Sequence, residues 1–98
     1  MKSLDEINGI LHDHLPELKG QFSLARIGIF GSVVRGEQRS DSDVDILVDF
    51  SRPIGLLAFM RLEHRLQELL GARVDLVSSK ALKPYIGRRI LDEVRYVS

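Results

Sequence analysis

Apolar positions recur along this chain in two rhythms, one helical and one of strict alternation. Ser3-Leu-Asp-Glu6 opens the first helical stretch as a capping box, in which serine caps the helix and Glu6 reaches back to its amide. Leu4, Ile7, Ile10 and Leu11 follow at the spacing of one helix face. Pro16 has no N–H to continue the ladder, so this helix is expected to end or kink there. Residues 25–30, Ala-Arg-Ile-Gly-Ile-Phe, read as a strand that Gly31-Ser32 breaks. Residues 43–50 alternate most clearly, with Val44, Ile46, Val48 and Phe50 on one face. After the turn Arg52-Pro53-Ile54-Gly55, the spacing predicts a helix over 56–70. Its apolar stripe is Phe59, Leu62, Leu66, Leu69 and Leu70, and Gly71 suits its C-cap. Residues 73–78 form a third strand. A last helix is expected over much of 81–93, perturbed around Pro84 and Gly87, and Arg95-Tyr96-Val97 can add a short edge strand. This order predicts an α/β (α+β) fold: a small mixed β-sheet with helices packed on it.

Composition narrows the classes. At 98 residues the chain is expected to be a single domain, residues 1–98, with one small core. Fourteen basic and fourteen acidic residues cancel, which argues against binding a long stretch of nucleic acid. Absence of cysteine excludes disulfides, thiolate metal sites and cysteine nucleophiles. The first twenty residues are too charged for a signal peptide, and no apolar run approaches the ~18 residues of a membrane span. A cytoplasmic location and no membrane partner are therefore expected. Charge is uneven: residues 1–24 carry a net −2, while residues 79–98 carry a net +3. The basic end reads as a solvated helix face or as a docking surface for an acidic partner.

Three features carry candidate chemistry. Gly31-Ser32 ends a strand, where a glycine lets the backbone approach a ligand. If a helix begins there, its amides and the Ser32 hydroxyl make an anion site, although a tight turn accounts for a lone Gly-Ser too. Asp43-Val44-Asp45 places two carboxylates on the same face of a strand. Unpaired, they repel and resist ionising; a divalent cation between them removes that cost, and oxygen-only ligands suit Mg2+ or Mn2+. An exposed acidic strand start, extended by Asp41, explains the pair equally well. Asp75 is a single acid between Val74 and Leu76 on a strand read as interior, costly there unless it lies at an edge or has a partner. Paired across the sheet with Asp43 and Asp45 it completes a three-carboxylate cluster.

Near misses sharpen the choice. Gly31 to Gly36 has the glycine spacing of a P-loop, but Glu37-Gln38 stand where Lys-Ser/Thr is required. Asp41, Asp43 and Asp45 mimic an EF-hand opening, with Ile46 in place of the glycine and Arg52 in place of the closing glutamate. His12, His14 and His64 make no zinc motif and read as surface residues.

The combined pattern is Gly-Ser, ten residues, Asp-x-Asp, then a third Asp on a later strand. It resembles the nucleotidyltransferase superfamily typified by DNA polymerase β, and within it the minimal nucleotidyltransferases. The likeness spans Phe30-Gly-Ser-Val-Val-Arg-Gly36, Ser40 to Val48, Val74-Asp-Leu-Val77 and Leu82-Lys-Pro84. It implies a polymerase β palm-like nucleotidyltransferase core in which Gly31 and Ser32 hold the triphosphate of ATP. By the same resemblance Asp43 and Asp45 bind two Mg2+ (or Mn2+) ions, and Asp75 shares one and helps activate an acceptor hydroxyl. The implied reaction is attack on the α-phosphorus with loss of pyrophosphate, a chemistry that two metals suit. Arg35 and Arg39 flank the motif and are placed either to touch phosphate or as plain surface arginines. Because a chain this short leaves no room for an acceptor domain, the acceptor is expected to be a separate macromolecule. The resemblance implies a HEPN-domain toxin, with this chain as its antitoxin transferring AMP to a tyrosine. A non-catalytic antitoxin that masks the toxin is the alternative, though it has no need of three costly carboxylates. Transfer to a small molecule is a third reading, weakened by the missing second domain.

Overall fold

The first helix, α1 (Leu4–Phe22), starts where its cap predicts. The Ser3 hydroxyl accepts from the Glu6 amide and a Glu6 carboxylate oxygen accepts from the Ser3 amide, each at 3.2 Å. The helix does not end at Pro16 but runs on to Phe22. Leu18 and Phe22 lie beyond the proline and are buried with Ile7 and Leu11. Burying two such side chains contributes about 3–6 kcal/mol. That matches or exceeds the roughly 3 kcal/mol a helical proline costs. Pro16 itself is exposed.

The computed structural model describes residues 2–82 and 84–97. Strands β1 (Leu24–Phe30), β2 (Val44–Phe50), β3 (Val74–Ser78) and β4 (Arg95–Tyr96) form one sheet in the order β3-β2-β1-β4. The β1–β2 and β1–β4 pairs are antiparallel; β2 and β3 are parallel. A parallel pair needs a long crossover. Helix α3 (Leu56–Leu70) supplies it and ends on the Gly71 cap. Between β1 and β2 lies a single turn, α2 (Ser32–Arg35). The last helix, α4 (Pro84–Glu93), follows a 3-10 turn over Ser79–Ala81 and occupies much of the expected 81–93. Lys83, in the Leu82-Lys-Pro84 segment, lies outside the described residues.

Strand alternation sorts the core onto two faces. Val44, Ile46 and Val48 join Ile27, Ile29, Val74 and Leu76 under α1 and α3, whose Leu11, Leu18, Leu62 and Leu66 are fully buried. Glu17 and Arg65 tie those two helices with paired contacts of 2.7 and 2.9 Å. On the other face Phe30 and Leu47 form a smaller cluster with Val94, Ile90 and Leu82, which seats α4 on the sheet. Gly28 makes this close seating possible, since a Cβ there would stand 2.6 Å from Val94 Cγ2. In this order β3 is an edge strand, so the interior position expected for Asp75 is corrected.

Two substitutions grade these contributions in urea titrations. Ser3→Ala is expected to cost about 1 kcal/mol through loss of the cap. Leu66→Ala is expected to cost about 2–5 kcal/mol through the cavity it leaves. A Ser3→Ala loss as large as that of Leu66→Ala would contradict this ranking.

Candidate functional site

The site is built at the ends of β1, β2 and β3 on the face that carries α4. Antiparallel register sets Phe30 opposite Asp45, and parallel register sets Asp45 opposite Asp75. Asp43, two residues before Asp45, belongs to the same face by alternation. The three acids that the sequence singled out thus stand in one neighbourhood. Asp75 is exposed at the sheet edge, which removes the burial cost its apolar neighbours suggested.

Asp45 is the half-buried one of the three. Burial, then the charges of Asp75 and Asp43 and a hydrogen bond with Asp75, push its carboxyl up to about 6. Arg35 pulls in the opposite direction and is therefore close enough to matter. Asp43 is drawn to Arg73, whose Nε lies 3.1 Å from its Oδ1. Among the described residues no three acidic or histidine side chains converge closely enough to cage a metal unaided. The donor set nevertheless suits a divalent cation: all its groups are carboxylate oxygens, crowded together at the end of the sheet. Phosphate oxygens would complete the coordination, as Mg2+ commonly requires.

Gly31 links the acids to the turn. Its φ of +78° is a glycine conformation, and a Cβ there would collide with the Asp45 carboxylate. The sequence suggested ligand approach as the reason for this glycine; the structure adds a nearer one, room for Asp45. The turn after Gly31 consumes much of its own polarity. Val34 and Arg35 amides donate to the Gly31 carbonyl, Gly36 to Val33, and Glu37 to Ser32. Ser32 opens the turn half-buried. Arg35 reaches Glu37 and Glu93, each at 3.1 Å. Arg39 is exposed, and its backbone closes a turn with Ser42 through contacts of 2.9 and 3.0 Å. The structure brings Arg35 to the acids.

Two residues escaped the sequence reading. Arg73 precedes β3 as Asp43 precedes β2, and the Val44 amide donates to its carbonyl at 2.8 Å. Once Asp45 is set opposite Asp75, Arg73 must face Asp43; the repeat Arg73-Val-Asp75 beside Asp43-Val-Asp45 was the available signal. Glu93 comes from 62 positions away to accept the Gly31 amide at 2.6 Å, and no local pattern announces it. Asp49 shares the acidic face but is taken up by Arg26 and Ser79. His12 and His64 are exposed and His14 is bound to the Ile10 carbonyl at 2.8 Å, away from this chemistry.

Compared with known proteins, residues 11–97 match the nucleotidyltransferase domain family. Protein adenylyltransferase MntA of Thermococcus cleftensis is 53% identical over 97 residues, covering 99% of this chain and 98% of that protein. A solved structure assigned as a minimal nucleotidyltransferase superposes with a TM-score of 0.80 at 37% identity, covering 96% of this chain and 95% of the other. At 19% identity the fold is shared, with a TM-score of 0.68 over 93% of this chain and 71% of the other. That structure is the complex of a tri-AMPylated Shewanella oneidensis HEPN toxin with an MNT antitoxin.

The burial and crowding of Asp45 have a consequence for stability. Its carboxyl is raised from an ordinary 3.8 to about 6, so the folded state binds the proton more tightly than the unfolded state. The associated stability is fully present below pH ~4 and is lost as pH rises through ~6. Asp45→Asn should match wild type near pH 4 in metal-free buffer. Above pH 7 it should be more stable by on the order of 1 kcal/mol, after discounting for partial solvent exposure. Urea titrations across this range check it; an asparagine variant no more stable than wild type at pH 8 would refute the penalty on ionised Asp45.

Proposed function

The chain belongs to the nucleotidyltransferase domain family, and we propose that it transfers AMP from ATP to a hydroxyl of a partner protein. One observation carries the reading: Asp45, opposite Asp75 and followed back along its strand by Asp43, lodges against the bare backbone of Gly31. Acids and a strand-end turn are thereby adjacent, as a reaction at a triphosphate requires. The protein acceptor is supported by the likeness to the Thermococcus adenylyltransferase, which spans nearly the full length of both chains. A HEPN-domain toxin as partner, and a tyrosine as its acceptor, are the finer form of the proposal. They draw on the sequence resemblance and on the fold held in common with the toxin–antitoxin complex.

In this proposal each residue has a role. Asp43 and Asp45, with Asp75 sharing, would hold divalent cations, Mg2+ or Mn2+. Such ions supply charge neutralisation on the triphosphate and a more acidic acceptor hydroxyl. Gly31, Ser32 and Arg35 orient the phosphates. Asp75, exposed at the sheet edge, can meet an incoming hydroxyl and take its proton. The acceptor oxygen then bonds to the α-phosphorus, the bond to the β-phosphate breaks, and pyrophosphate leaves. The basic side chains Arg88 and Arg89 on α4 are exposed and offer a docking surface to an acidic partner.

With Mg2+, ATP and the HEPN partner, a substoichiometric amount of wild-type chain is expected to add one or more AMP units per partner, read by intact-protein mass. Asp75→Asn should keep most nucleotide affinity and lose transfer by a hundredfold or more, on the order of a lost general base. Asp43→Asn/Asp45→Asn should lose the metal dependence of ATP binding while remaining folded. If that double variant silences the partner as well as wild type does, the chain acts by masking and the enzymatic reading fails.

A further inference from the structure

Glu93 ends α4 and belongs to none of the motifs above. Its carboxylate accepts the Gly31 amide at 2.6 Å and lies 3.1 Å from Arg35 Nη1 through both oxygens. These are two of the donors that the proposed phosphate cradle would present, one backbone N–H and one guanidinium. Carboxylate and phosphate oxygens are both anionic acceptors and compete for the same N–H groups. The contact is local. Ile90 and Val94 pack against Phe30 and Leu47, so the helix stays seated whether or not the carboxylate is engaged. The Glu93 side chain is 28% exposed and has solvent to swing into.

We infer that Glu93 sets the affinity of the nucleotide site: it is an internal anion resting in the phosphate cradle, displaced when a triphosphate enters. The inference rests on the reading of Gly31 and Arg35 as phosphate ligands. A triphosphate carries enough charge to exchange for Glu93, whereas a single phosphate offers less and gains least. Glu93 thus favours polyphosphate ligands over the monophosphates around them.

Calorimetry with the full chain tests this, using ATP and inorganic tripolyphosphate as probes, each with Mg2+. Glu93→Gln removes the charge at nearly constant size and should bind both probes about threefold to tenfold more tightly. Glu93→Asp keeps the charge but retracts it from Gly31, and should fall between wild type and Glu93→Gln; it serves as well if the glutamine variant folds poorly. Unchanged or weaker binding in both variants, with wild type still binding ATP, would overturn the role of Glu93 alone. Failure of wild type and variants to bind either probe would overturn the phosphate-cradle reading and this inference together.

Discussion

The site depends on the parallel pairing of β2 with β3. That register puts Asp45 opposite Asp75 and forces two carboxylates together at the end of the sheet. Burial first, and then the like charges so placed, make Asp45 resist ionising, and its rise to about 6 records the cost. The pairing in turn requires α3 as its crossover, and α3 is held by the burial of Leu62, Leu66 and Leu70. The hydrophobic stripe of one helix therefore sustains an electrostatic arrangement at the far end of two strands. Folding energy from apolar burial is what allows the acids to be crowded.

Gly31 closes this arrangement from the other side. Were any side chain present there, it would displace Asp45, and a positive φ would strain most residues that replaced it. The same glycine carbonyl accepts the Val34 and Arg35 amides, so it also shapes the turn that brings Arg35 round. One residue thus couples the position of the metal-binding carboxylate proposed for Asp45 to that of the phosphate-binding groups. Substitution at Gly31 would disturb both at once, which makes it a poor probe of either alone.

Much of the fold was legible because local chemistry and tertiary packing agree. The Ser3–Glu6 capping box, the alternation of β2 and the stripe and glycine cap of α3 are each written within a few residues. The helix passes the possible stop at Pro16 because that local rule is outweighed by the burial of Leu18 and Phe22 beyond it. Sheet order was harder to read: Asp75 was expected inside, and lies at the edge, because strand adjacency is set by the crossover and not by the strand's own composition. The acids were recognisable by type and spacing. Their counter-charges were not, since Arg73 becomes visible only once the β2–β3 register is known, and Glu93 meets Gly31 only after the chain has folded back on itself.

Those two counter-charges share one logic. Asp43 sits in a field of negative charge, and Arg73 supplies a positive group at 3.1 Å. Gly31 and Arg35 gather donors, and Glu93 supplies the acceptor at 2.6 and 3.1 Å. Each half of the site is thus matched within the chain by a group of the sign its proposed ligand would carry. All of these side chains keep some contact with water, where an ion pair is worth little and exchanges easily. Partners of this kind lessen charge crowding in the folded chain without locking the site, since a divalent cation or a triphosphate brings more charge than a single side chain can. The matched signs on the two halves, acidic beside Asp45 and basic beside Gly31, are what a metal–triphosphate complex requires of one surface.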